Sequence, residues 1–220
     1  MQVSAATTGQ RIEVAGEEVH LLAERAVWWP ARRTLLVADL HIGKEETFRR
    51  AGIAMPQAVL DETLGRLGLL AAVTGAERLV VIGDLIHGRV GLSDAVVGQF
   101  GRWRESFPGR IELVVGNHDR HVKAMPTEWR IEVRDEDEVD GPFRYRHEPR
   151  EPSQPGVEFE WSGHLHPTVR LAGVAMPAFV VSSWAAILPA FTSFSRGPGF
   201  WPCEARRVFC VADGSVIEMG

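Results

Sequence analysis

The chain has 220 residues and a mass of 24.3 kDa, with 45% apolar and 24% charged residues, a usage that excludes disordered, collagen-like and disulfide-scaffold classes. Twenty-four basic against 29 acidic residues leave a formal charge of −5, so no global positive field draws the chain onto nucleic acid or an acidic membrane, and any phosphate site must be local. The length fits one domain over residues 1–220.

Met1 to Gln10 is polar and lacks the apolar core of a secretory signal, which points to the cytoplasm. Val19 to Leu22 and Ala26 to Trp29 predict a hairpin of short strands, and Thr34 to Ala38 (TLLVA) a buried strand ending at Asp39. From Pro56 to Gly75, apolar residues at Leu60, Leu64, Leu67 and Ala71 have helical spacing, with Pro56 suited to the first turn. Arg78 to Ile82 is a second buried strand, running into Gly83-Asp84. Ser93 then suits the N-cap of a helix whose apolar face is Val97, Phe100 and Trp103. A third strand, Ile111 to Val115, ends at Gly116-Asn117-His118-Asp119. Strand, helix, strand, helix, strand predicts a parallel sheet with right-handed crossovers.

Beyond Arg130 the texture changes to short strands at Arg130 to Arg134, Phe143 to His147, Val157 to Ser162, Thr168 to Leu171, Ala178 to Val181 and Val208 to Ala212, predicting an antiparallel or mixed sheet. The acidic run Asp135 to Asp140 and the Pro-rich Glu148 to Gly156 are expected to be loops. Val174 to Phe191 is apolar but broken by Pro177 and Pro189 and too short to span a membrane. Cys203 and Cys210 have no zinc-site spacing and are expected to be reduced thiols.

The chemistry lies at strand ends. Asp39-x-His41, Gly83-Asp84 and Gly116-Asn117-His118-Asp119 each follow a βα strand, and the carboxyl ends of neighbouring strands converge on one crevice. His147 and Gly163-His164-Leu165-His166 follow two later strands. Together they offer Asp, Asn and His donors without sulfur, a donor set for hard or borderline divalent metals. In Asp39-x-His41 and His164-x-His166 an extended backbone with its period of two would turn both side chains the same way. The glycines before Asp84, Asn117 and His164 suit close backbone approach. His87 is a substrate-side contact or an exposed side chain. His121 reads as surface or outlying, and His20 as structural.

This series of motifs, from Asp39 to His166, resembles the calcineurin-like metallophosphoesterase superfamily. The resemblance implies an α/β sandwich of two mixed β-sheets flanked by helices, with two divalent metal ions, manganese first and iron or zinc as alternatives. It assigns Asp39, His41 and His166 to one metal and Asn117, His147 and His164 to the other, with Asp84 bridging. It also makes His118 the catalytic histidine, oriented by Asp119, with a metal-bridged hydroxide attacking phosphorus in line. Two metals clamp the attacking and leaving oxygens, and an imidazole can protonate the leaving oxygen.

Trp29-Pro30, the stretch from Ala38 to Lys44, the stretch from Thr47 to Gly52, His147-Glu148-Pro149 and Leu188-Pro189-Ala190-Phe191 further resemble the bacterial ligase-associated DNA damage response endonuclease branch. That implies a phosphodiester substrate, with DNA and repair ligase or helicase partners, and no membrane. Lys44, Arg49 and Arg50 follow the first motif and either hold flanking phosphates or form a solvated helix face, and Arg102, Arg104, Arg110 and Arg120 could extend a basic track that the acidic run Asp135 to Asp140 would oppose. A phosphomonoesterase or nucleotide pyrophosphohydrolase would use the same site, and a non-catalytic interaction scaffold is the alternative of another class. Oligomeric state is left open.

Overall fold

The computed structural model describes residues 9–56, 58–122, 124–136, 139–150, 158–195 and 197–220. The Pro-rich loop beyond residue 150 and the expected strand start at Val157 therefore lie outside the described residues, as does the polar N-terminus through residue 8.

Two sheets stack face to face. The first runs in the order β1 (Gly9–Val14), β2 (Glu17–Leu22), β3 (Ala26–Trp29), β4 (Thr34–Ala38), β5 (Arg78–Ile82), β6 (Arg110–Val114) and β7 (Ile131–Arg134). Its first three strands form an antiparallel meander and its last four are parallel. Between them come α1 (Lys44–Arg50), α2 (Val59–Thr74) and α3 (Asp94–Ser106). The continuous apolar run of β4 follows from its burial on both faces. Leu35 and Val37 pack with Leu64, Leu67, Phe100 and Trp103 of the helices, while Leu36 and Ala38 join Val80, Ile82 and Val114 in the layer between the sheets. Leu35, Leu36 and Val37 are all fully buried, each stabilising the fold by about 1.5–3 kcal/mol.

Ser93 caps α3 as expected, its Oγ accepting from the Val96 amide, but Val96 takes the buried place and Val97 sits half-buried beside it. Pro56 precedes α2 rather than entering its first turn, because the chain passes through a left-handed Ala58 (φ 70°) before the helix begins.

The second sheet runs β15 (Ser215–Glu218), β14 (Arg206–Ala212), β12 (Val174–Ser182), β13 (Ala185–Ile187), β10 (Phe159–Ser162), β9 (Phe143–Arg146) and β8 (Val139–Asp140), with β11 (Thr168–Leu171) paired to β12. Its centre, β13-β10-β9, is parallel. Phe143, Tyr145, Trp161, Phe179 and Phe209 fill the layer against the first sheet. The described helices pack on the first sheet, and the far face of the second is covered by β11 and Phe200.

The acidic run is no solvated loop at its end. Val139–Asp140 pairs with β9, and Asp140 accepts from Arg78 and, at 3.0 Å, from the Tyr145 hydroxyl. Cys203 and Cys210 are both free thiols. No helix among the described residues is long and apolar enough to cross a membrane.

Candidate metal centre

Register brings the motifs together. Ala38 pairs with Ile82 and Ile82 with Val114, so Asp39, Asp84 and Asn117 emerge from one edge of the first sheet. Ser162 pairs with Arg146, so His147 and Gly163-His164 emerge at the matching edge of the second. The two edges meet: the His164 amide donates to Asp39 Oδ2 at 2.9 Å, and His147 Nε2 lies 2.9 Å from Asn117 Oδ1.

Three candidate ligand groups result among the described residues, each with its ligand atoms within 4.8 Å of one another: Asp39, His41 and His166; Asp84, His147 and His164; and His41, His87 and His118. The first two each combine a carboxylate with two imidazoles. The Asp84 carboxylate lies between them, with Oδ1 3.5 Å from His147 Nε2 and Oδ2 3.9 Å from His41 Nε2. His147 Nε2 also sits 2.9 Å from Asn117 Oδ1 and 3.2 Å from His164 Nδ1. A single ring proton cannot serve three such neighbours, whereas a cation can. In the other group Asp39 Oδ1 and His166 Nε2, 3.4 Å apart, are buried without a hydrogen-bond partner, as is His41 Nδ1. These orphaned donors and the sulfur-free ligand set fit divalent metals of the hard or borderline kind.

The backbone is bent to reach this arrangement. Asp39 (φ 55°), His41 (50°), Asp84 (47°), His164 (66°) and His166 (46°) all adopt left-handed conformations, which are costly for residues with a Cβ and collect at functional sites. Turns and not an extended period of two therefore place these side chains, bringing Asp39 and His41 into one ligand group and sending His164 and His166 to different ones, a correction to the sequence reading. The glycines are needed for closeness. A Cβ on Gly83 would lie 1.8 Å from His147 Nδ1, on Gly116 2.2 Å from Asp84 Oδ1, and on Gly163 2.7 Å from Asp39 Oδ2.

The electrostatics suit neutral imidazole ligands. Burial, helped by the nearby Lys44 ammonium and neighbouring rings, pushes the His41 imidazole down to about 2, and burial likewise lowers His147. Both imidazoles are thus neutral and able to ligate at neutral pH. Burial raises the Asp84 carboxyl to about 7, with Asp39 adding to the effect against the opposing His118 amide. A bound dication would reverse that shift.

His118 sits at the rim of this cluster, its Nε2 4.0 Å from Asp84 Oδ2 and its amide donating to Asp84 Oδ1 at 2.9 Å. Its Nδ1–H donates to the His87 carbonyl at 2.7 Å, which leaves Nε2 as the nitrogen facing the ligand groups. The ring is thus oriented by the His87 backbone, whereas the sequence reading gave that task to Asp119. The buried Asp119 carboxylate accepts instead from the amides of Ile86 (2.9 Å), Leu85 (3.3 Å) and Gly116 (2.9 Å), clamping the β5 and β6 loops together. Burial raises its pKa against those donors.

His87 belongs to the site. It stacks on His118 at 4.9 Å between centroids and meets His41 edge-on at 5.4 Å, and burial lowers its pKa to about 4. Lys44 lies close by, but its Nζ donates to Phe194 O (2.8 Å) and Ser195 Oγ (2.7 Å). Arg49 and Arg50 are exposed and fold back on Glu46 of their own helix. The expected basic track is likewise dispersed: Arg104 is buried and donates to Trp129 O and Phe107 O, Arg110 pairs with Glu132, and Arg120 pairs with Glu136. His20 pairs with Glu18, and His121 is exposed.

The sequence reading singled out Leu188 to Phe191 but missed the support that this end of the chain gives the first motif. The Phe191 amide donates to Ala38 O at 2.8 Å and the Thr192 amide to Asp39 O at 3.4 Å, pinning the first motif from the far side of the chain. No local pattern signals these long-range backbone bonds.

No protein-family model and no curated protein matches the sequence. Among solved structures, the Pseudomonas putida nuclease MPE superposes with a TM-score of 0.85 at 36% identity, over 96% of this chain and 100% of that one. A protein of unknown function from Aquifex aeolicus aligns at a TM-score of 0.42 and 18% identity, over 60% of this chain and 78% of that one, too distant to carry an argument. With a match across nearly its whole length and the ligand-bearing strand ends in place, the chain belongs to the calcineurin-like metallophosphoesterases, in the branch like the ligase-associated DNA damage response endonuclease.

Proposed function

We propose that this protein is a metal-dependent phosphodiesterase that cleaves nucleic-acid backbones. The observation that carries the reading is the Asp84 carboxylate, whose two oxygens face two separate ligand groups while the His118 ring stands beside one of them. Asp39, His41 and His166 would hold one divalent ion and Asn117, His147 and His164 a second, with Asp84 shared. Manganese is the first choice, with iron or zinc as alternatives. Such ions supply neutralisation of phosphate charge and a lowered pKa for the attacking water.

The remaining work falls to the chain. His118, with Nδ1–H fixed on the His87 carbonyl, presents Nε2 as the proton donor to the departing oxygen. His87 keeps that ring in place by stacking on it. Asp119 holds the two loops that carry Asp84 and His118 at a fixed separation. The relative named a nuclease supports a nucleic-acid substrate. With a formal charge of −5 and Arg49, Arg50 and Arg110 paired internally, affinity for the strand is local and salt-sensitive. Repair ligases or helicases are the proposed partners.

The test is hydrolysis of bis(p-nitrophenyl) phosphate and p-nitrophenyl phosphate side by side, with manganese, iron and zinc supplied in turn. The diester is expected to be turned over at least tenfold faster than the monoester. A preference for the monoester, or no turnover with any of the metals, overturns the proposal.

A further inference from the structure

Beside His166 lies a pocket of about 240 Å³ for which the proton and metal chemistry has no use. Val174, Met176 and Pro177 of β12 form an apolar wall, and Arg25, Thr168, Ser193 and Ser195 join His166 in its polar lining. No carboxylate lines it among the described residues. The polar groups are fixed to the frame of the site. Arg25 Nη1 donates at 2.8 Å to the carbonyl of Thr192, the residue whose amide pins Asp39, and Ser195 Oγ accepts from Lys44.

Size and chemistry narrow the occupant. Pockets for whole drug-sized ligands run to roughly 300–1,000 Å³, so this one has room for a ring system and little more. An apolar wall with a guanidinium beside it suits a flat, acceptor-bearing ring, on which Arg can stack and to which it can donate. Position fixes the rest. His166 belongs to both the pocket and the Asp39 ligand group, so a ring in the pocket is one ester arm away from a phosphorus at that group. His118, which serves the departing oxygen, is absent from the pocket lining.

We infer that this pocket binds the ring of the retained ester arm of a phosphodiester, which in a nucleotide substrate is a base next to the scissile phosphate. The inference rests on the phosphodiesterase reading. Two esters with one leaving group test it: bis(p-nitrophenyl) phosphate retains an aryl arm and methyl p-nitrophenyl phosphate a methyl. The wild-type KM is expected to be at least fivefold lower for the aryl ester. Ala175→Trp, a half-exposed lining position, should erase the difference by raising KM for the aryl ester alone.

A second readout needs no turnover. In zinc-loaded protein labelled with methyl-13C methionine, the Met176 resonance should move on adding diphenyl phosphate and stay still with dimethyl phosphate. Equal KM values for the two esters in the wild type, or a Met176 signal indifferent to diphenyl phosphate, overturn the inference. A Met176 shift in a protein that hydrolyses neither ester upholds the subsite and sinks the hydrolase reading instead.

Discussion

Gly83→Ala isolates the closeness on which the metal centre depends. The new methyl carbon would lie 1.8 Å from His147 Nδ1 and 2.4 Å from its Cγ, so the ring must retreat by more than 1 Å to restore ordinary contact. Gly83 also has φ +74°, where a Cβ adds roughly 1–2 kcal/mol of strain, and overpacking adds roughly 1–3 kcal/mol more. The sum, about 2–5 kcal/mol, corresponds to a fall in Tm of roughly 5–20 °C for a chain of this length. Gly52→Ala supplies the control, because Gly52 has nearly the same φ of +76° but nothing within 4 Å of its Cβ position, so it pays the strain alone. Thermal melts of both metal-free variants, with zinc titrations by calorimetry, read the two effects. Gly83→Ala should melt well below Gly52→Ala and bind zinc at least tenfold more weakly than wild type, because His147 is displaced from Asn117 and His164. Equal melting of the two variants together with wild-type zinc affinity would refute the reasoning.

Three further outcomes follow from the geometry. His118→Asn should keep its full metal content while kcat on bis(p-nitrophenyl) phosphate falls about 100-fold or more, the scale of a lost general acid, and an unchanged kcat removes His118 from that role. Asp119→Ala strips the acceptor from three loop amides, each worth about 1–3 kcal/mol when buried and unpaired, so urea unfolding should show a clear loss that Asp119→Asn, retaining one acceptor oxygen, shows less. Because the Asp84 carboxyl is raised to about 7 in the metal-free fold, against an unfolded value near 3.9, the folded state holds the extra proton between those values, and stability contributed by this group falls as pH rises through that window. Metal-free Asp84→Asn should accordingly be more stable than wild type at pH 8, on the order of a few kcal/mol, with the gain shrinking toward pH 4.

The parallel half of the fold was legible because TLLVA, RLVVI and the run from Ile111 are buried on both faces and each ends in a polar cluster. Those same clusters held Asp39, His41 and Asp84 of the two ligand groups, while His147, His164 and His166 stood at the ends of two later strands. What stayed hidden depended on partners far along the chain. β1 and β15 lie at sheet edges and mix polar with apolar residues, while β13 spans only three residues, too short for any period. Asp140 looks like one more charge in an acidic run until Arg78 and Tyr145 arrive to neutralise and bind it. The sequence shows Asp119 next to His118, but adjacency in the chain is not contact. The aspartate turns to the β5 loop amides and the His87 carbonyl takes the imidazole. Left-handed backbone at five ligand positions was equally invisible, since Asp and His there obey no rule as clear as that for glycine.

Anomalous diffraction from crystals grown with manganese tests the central claim most directly. Two peaks are predicted about 3.5–4 Å apart, one among Asp39, His41 and His166 and the other among Asn117, His147 and His164, with one oxygen of Asp84 toward each. A single peak, no peak, or density held by His41, His87 and His118 alone would contradict it.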